Sequence, residues 1–334
     1  MFLLLGISIL LASLLLVNSL ASLFMAGLWR MAARMTSGWS AEMRARAVFF
    51  LRVAPAGLSL SLAVLLLIPA YVVYEPRVTS ERVSLKLATM AMIALVGIGL
   101  ALFRGLAAWR ATRRLMADWK AHGKAVRIDG IGVRAYLIDH SFPIIAIVGA
   151  LRPKLFIAGR VLDSLTPEEI IAALAHESGH LAMRDTLKRG ILRACRDMLL
   201  MVPCGRSLDS AWADASECAA DEYAAREGRE RALDLASALV KIARMIPGGA
   251  RPTIPAGAFL LGDENSASVK WRVHRLVQLA SSDTRPTLQT GLFKNILFWL
   301  SAACFVILLT IIASAPIVLF TVHSLIERVV LVLQ

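Results

Sequence analysis

Two histidines four residues apart, His176 and His180, are the residues whose spacing most directly implies chemistry. Side chains at i and i+4 of an α-helix lie on one face, so both imidazoles can bind a single Zn²⁺ ion. Glu177 follows the first histidine and lies roughly 100° around the helix, so it flanks the metal instead of binding it. A carboxylate there is suited to act as general base on a zinc-bound water. The spacing therefore predicts a zinc site with a catalytic base beside it.

A third metal ligand is expected downstream, because catalytic zinc sites usually have three protein ligands and one open position. The helix-favouring segment 217–225 carries Glu217 and Asp221 four residues apart. Glu217 would complete a His₂Glu set, and Asp221 would accept the far N–H of a ligating imidazole and fix its tautomer. The alternative is a solvated acidic helix face. The combination with the two histidines favours the metal interpretation, with Zn²⁺ as the cofactor.

The helix that carries the histidines has a recognisable start. Thr166 is suited to the N-cap, Pro167 to the first helical position and Glu169 to the third, which together predict a capping box. Apolar residues around the histidines indicate a mostly buried helix. The other elements expected around it are three strands at 133–138, 144–148 and 154–158, and helices from near 208 past 225, at 229–245 and at about 269–280.

Membrane segments are expected, because a 334-residue chain with 57% hydrophobic residues and a mean hydropathy of +0.66 is too apolar for an ordinary soluble protein. Four apolar runs have the roughly 20-residue length that a bilayer requires. They lie at 2–28, 48–74, 87–108 and 295–322. Residues 186–203 are also apolar, but embedded arginines make that run too charged to span, so it is expected at the membrane surface or under the site.

The basic residues of the loops predict the orientation. The loop 29–47 and the segment after residue 108 are strongly basic, whereas the loop 75–86 is almost balanced. The positive-inside rule then places the N-terminus outside and the catalytic segment in the cytoplasm. The expected domains are three transmembrane helices in 1–108, a cytoplasmic metallopeptidase domain in 109–293, and a transmembrane helix with a short tail in 294–334.

The net charge of +13 raises the question of a nucleic-acid partner. The sequence shows no nucleic-acid-binding module and no pattern of aromatic and basic residues that would stack on bases. Much of the excess positive charge lies beside the predicted spans, where anionic lipid headgroups are the obvious partner. We therefore expect a lipid bilayer and no nucleic acid. The four cysteines lack a zinc-knuckle spacing and are expected to be reduced thiols or packing residues.

The histidine motif and the helix with Glu217 and Asp221 together resemble those of the gluzincin metallopeptidases. Two membrane-bound branches fit: the BlaR/MecR-type receptor peptidases and, as nearest neighbour, the HtpX-type quality-control peptidases. The resemblance covers about residues 130 to 280. The stretches similar to the BlaR/MecR type are 142–157, 165–169, Arg184 with Asp185, and 217–222.

The resemblance implies a fold and an activity. The fold class expected is a membrane α-helical protein with four transmembrane helices and a cytoplasmic α+β gluzincin (zincin-like) peptidase domain, in a bacterial inner membrane. The activity implied is zinc-dependent endopeptidase action on a cytoplasmic protein, with substrate bound as an extra strand along about 144–148. The BlaR/MecR branch implies a regulatory substrate such as a transcriptional repressor, whereas the HtpX branch implies quality control of membrane proteins.

Three further points remain open at this stage. The BlaR/MecR-type receptors carry an external sensing domain after the last span, whereas only a short tail follows it here, so signal reception is expected from a separate sensor partner, from the short external loop, or not at all. A homodimer is a further possible partner.

A non-catalytic zinc scaffold or sensor is the other functional class, and Glu177 argues against it, because a structural site needs no base. The oxyanion donor is also open. Tyr223 and His274 are the catalytic candidates, beside Arg272 and, less favoured, His140. The alternative for Tyr223 is a packing residue, and for His274 and Arg272 a solvated helix face.

Overall fold

The computed structural model describes residues 2–36, 38–76, 83–128, 132–197, 205–246, 266–281, 307–308, 310–312 and 315–333. Within these residues, three helices are long and apolar enough to cross a membrane, and they span Phe2–Ala32, Ala41–Tyr74 and Leu85–His122. They correspond to the first three predicted spans. The fourth predicted span, 295–322, lies largely outside the described residues.

The second of these helices changes its winding part-way. It runs as α2 (Ala41–Leu62), passes through a π-helical turn at Ala63–Leu67, and continues as α3 (Ile68–Tyr74). Pro69 lies two residues beyond the π turn, and a proline inside a helix lacks an N–H and clashes with the preceding turn. A wider turn at that point accommodates the ring without ending the helix.

The first and third membrane helices are continuous. The first, α1, is Phe2–Ala32, and the third, α4, is Leu85–His122, with Ser84 as its N-cap. The predicted span 87–108 and the basic segment after it therefore form one helix. Its 38 residues reach about 57 Å at 1.5 Å per residue, well beyond a hydrocarbon core of about 30 Å. The basic end consequently projects from the membrane toward the sheet.

A four-stranded mixed sheet follows. Its strands are β1 Lys124–Val126, β2 Ala135–Ile138, β3 Ile145–Val148 and β4 Lys154–Ala158, in the spatial order β1-β2-β4-β3. The three predicted strands, β2 to β4, are confirmed to within two residues at their starts, whereas β1 was not among the expected strands.

The pairing of β3 with β4 determines which of its polar groups point outward. The two strands are antiparallel, and Ala158 N–H donates to the Ile144 carbonyl at 2.8 Å. Hydrogen-bonded pairs alternate along an antiparallel ladder, so the backbone groups of Ile145 and Ile147 point away from β4. Those groups line the free edge of the described sheet.

Helices complete the domain. They are α5 Gly159–Ser164, α6 Pro167–Met183, α7 Asp185–Asp197, α8 Gly205–Ala225, α9 Arg229–Met245, α10 Ser266–Ser281 and α11 Pro316–Leu333. The main core joins the sheet to α6 and α9, with Phe156, Ala173 and Leu239 among its buried members. The last helix, α11, continues to Leu333, where only a short tail was expected, and it packs Ile326 and Val330 beside Leu5 of α1.

The start of α6 is as predicted. The Thr166 side chain accepts from Glu169 N–H, and the Glu169 carboxylate accepts from Thr166 N–H, so the capping box is confirmed. The helix ends at Arg184, whose φ of 54° is left-handed, a conformation that non-glycine residues rarely adopt. This turn reverses the chain direction and starts α7 directly at Asp185.

The helix that carries Glu217, α8, packs against the membrane helix α2. Ala41 at the start of α2 clusters with Ala219 near the end of α8, whereas Arg52 lies farther along α2 and pairs with Asp209 near the start of α8. The two helices are therefore antiparallel over about three turns. This packing joins the domain to the second membrane helix.

Candidate metal centre and active site

Three potential ligand atoms converge between α6 and α8. The Nε2 atoms of His176 and His180 lie 3.2 Å apart, and each lies 3.6 Å from an oxygen of Glu217. Tetrahedral zinc with ligand bonds of about 2.0–2.1 Å separates its ligand atoms by about 3.3–3.4 Å. The three side chains thus have the spacing and the chemistry of a His₂Glu metal site.

Close packing of the two helices brings these ligands together. A Cβ added at Gly179 would lie 3.0 Å from the Tyr223 Cβ and 3.1 Å from the Ala220 Cα. Only a residue without a side chain permits α8 to approach α6 this closely. Gly179 therefore brings Glu217 within reach of the histidines.

Each histidine has a carboxylate behind it. His176 Nδ1 lies 3.0 Å from Asp221 Oδ1, and His180 Nδ1 lies 2.9 Å from Asp185 Oδ2. The Ser216 hydroxyl donates to the same Asp185 oxygen at 2.8 Å. A carboxylate on Nδ1 leaves Nε2 unprotonated and aimed at a metal. The position of Asp221 is the one that the sequence suggested, whereas Asp185 and Ser216 were not proposed.

A buried arginine joins two of the site's carboxylates. Arg272 of α10 is 2% exposed and donates from Nε and Nη2 to the two oxygens of Asp221, at 2.8 and 2.6 Å. Its Nη1 lies 3.1 Å from Glu217 Oε2. The sequence suggested Arg272 only as a candidate oxyanion donor. Here it orients the ligand Glu217 and the supporting carboxylate Asp221.

The charges of the site shift the pKa values of its members. Burial would lower the pKa of His180, but the charge of Glu217 and the hydrogen bond to Asp185 outweigh burial and raise it to about 10. Burial would raise the pKa of Glu217, but His180 and Arg272 lower it to about 2. A metal ligand must be a neutral imidazole or a carboxylate, so metal binding here displaces a proton from His180.

Glu177 is fully enclosed beside the ligands. Its residue is 1% exposed, and neither carboxylate oxygen has a hydrogen-bond partner among the described residues. Burial raises its pKa to about 8, although the charge of His180 and the nearby backbone amide of Ile147 oppose the rise. A carboxylate with a pKa near neutrality can both accept and release a proton, as a general base must.

The two remaining predicted catalytic residues, Tyr223 and His274, have other described contacts, and their role stays a prediction. Tyr223 packs its Cβ against Gly179, and its ring lies under the Arg226 guanidinium at 5.1 Å. His274 is exposed, with Nε2 3.1 Å from Gln278 Nε2 on the outer face of α10. The described contacts bring neither side chain to the three ligands. Arg272, two residues before His274, is the residue of α10 that reaches them.

Comparison with known families agrees with this geometry. Residues 134–286 match the family model described as Peptidase family M48. That stretch is therefore similar to an M48 peptidase domain. No curated protein matches the chain.

The matched stretch contains every element that forms the site. The matched residues begin at the start of β2 and continue past α10, so they include both histidines, Glu217 and Arg272. The described helices capable of crossing a membrane all begin before the matched stretch. The match, the membrane-capable helices and the candidate ligand set of His176, His180 and Glu217 together support a membrane metallopeptidase.

Proposed function

We propose that this protein is a membrane-bound zinc endopeptidase that hydrolyses peptide bonds of a cytoplasmic protein. The observation that carries the proposal is the enclosed Glu177 carboxylate beside the His176, His180 and Glu217 donor set. A structural metal site has no use for an unpartnered base, and burying one without a partner is costly. The M48 family of the domain supports a peptidase over other hydrolases.

The chain's own residues have separable roles in this reaction. Zinc held by the three ligands would activate a water and polarise the scissile carbonyl. Glu177 takes the proton of the attacking water and delivers it to the leaving amine. Asp221 and Asp185 keep both imidazoles in the tautomer that binds metal. Arg272 holds one oxygen of Glu217, so that the carboxylate keeps its orientation.

The free edge of β3 is suited to hold the substrate in extended form. The backbone groups of Ile145 and Ile147 point outward, and the Ile147 amide lies near Glu177. A peptide paired with these two residues as an added strand would run past the catalytic base. Recognition by backbone hydrogen bonds would make binding largely independent of sequence at this edge.

Two classes of substrate are compatible with the fold. A regulatory substrate, such as a repressor, is supported by the sequence between His180 and Glu217. The HtpX type usually has two membrane spans there, and the charged segment 186–203 does not supply them. Membrane quality control is supported by the position of the site, since the first turn of α2 forms part of its surroundings. The identity of the captured substrates discriminates between them.

The test is the Glu177→Gln variant. We expect purified Glu177→Gln protein to retain one zinc per chain and to lose hydrolysis of casein by about 10²–10⁴-fold, because the amide cannot take a proton. His176→Ala should lose both zinc and activity. The control is Glu168→Gln, which alters an exposed glutamate of the same helix.

Hydrolysis at the wild-type rate by zinc-loaded Glu177→Gln protein would refute the assignment of the base. The same inactive variant, crosslinked in cells, serves as a substrate trap. Recovery of one soluble regulator would support the regulatory class, and recovery of diverse damaged membrane proteins would support quality control.

A further inference from the structure

A cavity of about 480 Å³ adjoins the candidate metal ligand on the side of the membrane helices. Its wall is formed by the start of α2, the middle of α8 and the middle of α10. Binding pockets in proteins have volumes of about 300–1,000 Å³ and a few polar groups set among apolar ones. The lining residues on which the argument depends are Trp39, Arg44, Asp214, Glu217, Trp271 and Arg275.

Among the three arginines that line the cavity, Arg44 has a hydrogen-bond donor without an acceptor in the described chain. Its guanidinium lies over the Trp29 ring at 5.7 Å, and its Nε is buried without a hydrogen-bond partner among the described residues. An unsatisfied buried donor on a charged group is unfavourable, so it is seldom retained without a partner. Arg44 therefore lines the cavity with a guanidinium for which the described chain supplies no hydrogen-bonded acceptor.

The other two arginines of the wall are already engaged. Arg272 is paired with Asp221 and Glu217, as described above. Arg275 bonds Glu222 and donates to the Cys218 carbonyl at 3.2 Å. These partners leave Arg44 as the guanidinium that can bind an incoming anion.

The nearby carboxyl group of Asp214 does not occupy this guanidinium. Among the described residues the two side chains form no ion pair within 4.0 Å, although the charge of Arg44 opposes the rise that burial causes in the pKa of Asp214. The Arg44 guanidinium therefore remains available to another acceptor.

We propose that this cavity is a substrate subsite in which Arg44 binds a carboxylate of the peptide next to the scissile bond. Carboxylates form the strongest complement to a guanidinium through paired, charge-assisted hydrogen bonds. The exposed indole rings of Trp39 and Trp271, which are 45% and 52% exposed, flank the opening and can cover the methylene stem of an acidic side chain. This inference rests on the proposed peptidase activity and adds a preference to it.

The carboxylate has two sources, an aspartate or glutamate side chain and the free C-terminus of a peptide. The test is digestion of a synthetic peptide library by the full-length, zinc-loaded protein in detergent, once with free and once with amidated C-termini. We expect aspartate and glutamate to be enriched at one fixed position near the cut in both libraries. Enrichment that requires a free C-terminus would identify the terminus as the bound group and would equally support a carboxylate subsite.

Two variants at Arg44 separate charge from packing. Arg44→Met keeps the stem over Trp29 but removes the charge, and we expect the preference for a glutamate over a glutamine peptide in kcat/KM to fall by about tenfold or more. Arg44→Lys keeps a charge and should retain most of the preference. The control is Arg46→Gln, which alters an exposed arginine two residues away. Arg46 does not line the cavity, so its replacement should leave the preference unchanged.

The possible failures are distinguishable, provided that zinc content is measured for each variant to verify the fold. Cleavage without acidic preference, or a preference that persists in zinc-loaded Arg44→Met protein, overturns the subsite and leaves the peptidase intact. No cleavage by the zinc-loaded wild type overturns the peptidase, and the subsite with it.

Discussion

The oxygen atoms of two carboxylates meet at one guanidinium in this site. Arg272 donates to both oxygens of Asp221 and lies 3.1 Å from one oxygen of Glu217, with its side chain 2% exposed. A buried carboxylate can rotate unless hydrogen bonds fix it. Arg272 thus acts on the metal through Glu217 and on His176 through Asp221, which makes it a positioning residue.

Replacement of Arg272 should weaken metal binding more than it weakens folding. We expect Arg272→Gln to lower zinc affinity by about 10–100-fold, the usual effect of removing a group that supports a ligand. The measurement is competition with a chromogenic chelator, together with the visible spectrum of the cobalt-substituted protein, which reports ligand geometry.

Arg272→Lys should recover part of the affinity, because one ammonium can reach only some of the three oxygens. A purely structural role would predict reduced thermal stability with an unchanged cobalt spectrum. Unchanged zinc affinity in a folded Arg272→Gln protein would contradict the positioning role.

The part of the site that the sequence predicts consists of residues close together on one helix. His176 with His180, and Glu217 with Asp221, are each four residues apart, so helical periodicity alone places them on one face. Arg272 lies 51 residues from Asp221, and Ser216 lies 31 from Asp185, so only tertiary packing brings them together. Asp185 depends on the left-handed turn at Arg184, which no propensity rule indicates for an arginine.

At the scale of elements, the packing of α2 against α8 connects the membrane to the domain. Its far end is a buried ion pair, with Arg52 Nε 2.9 Å from Asp209 Oδ1 and Arg52 3% exposed in its side chain. A Cβ on Gly205 would lie 2.8 Å from the Arg52 Nη2, so a glycine as the first residue of α8 leaves room for the arginine side chain. The ion pair fixes the register between the two helices.

Removal of one partner of this pair should loosen α8. We expect Asp209→Leu to destabilise the detergent-solubilised protein by about 3–5 kcal/mol, because it leaves the Arg52 charge buried without a partner. The double variant Arg52→Met with Asp209→Leu should recover most of that loss, since neither charge remains. The measurement is denaturant unfolding followed by tryptophan fluorescence.

The control is Glu227→Gln, which breaks the more exposed pair with Arg231 and should change stability by less than about 1 kcal/mol. Equal loss in the single and double variants at Arg52 and Asp209 would show that the site is sensitive to packing and not to an unpaired charge.

Elements with a strong local signal were predictable from the sequence. The capped α6 and the helix Arg229–Met245 lie where periodicity places them, and β3 and β4 lie between turn residues. The strand β1 was not predictable, because Lys124–Val126 is short and exposed and exists only through its pairing with β2. The packing of α2 on α8 also leaves no local pattern, because the residues that contact each other, such as Arg52 and Asp209, are more than 150 positions apart in the sequence.

For the whole molecule, the described membrane helices and the basic end of α4 lead to one arrangement. We propose that the N-terminus lies outside and that the domain carrying the candidate metal site lies in the cytoplasm, as the positive-inside rule favours. The start of α4 would then face outward, and the turn between β3 and β4 would face the cytoplasm. Both regions offer exposed side chains, since Leu85 is 81% and Leu151 is 84% exposed.

Cysteine labelling tests this orientation. We expect Leu85→Cys to react with a membrane-impermeant maleimide in intact spheroplasts, and Leu151→Cys to react only after permeabilisation. The described natural cysteines, Cys195 and Cys218, are buried, and burial raises the pKa of Cys218 to about 12, so their background reaction should be low. The opposite labelling pattern would invert the topology and place the domain outside.

The antiparallel packing of α2 on α8 has a mechanical consequence. The stretch of Ala41–Tyr74 beyond Arg52 is still 22 residues long, enough to cross the bilayer, while the stretch before it lies beside the helix that presents Glu217. A rigid helix transmits tilt along its length. A change in bilayer thickness that tilts this helix would therefore shift one wall of the cavity relative to α10. We expect the shape of the active site to depend in this way on the surrounding lipid.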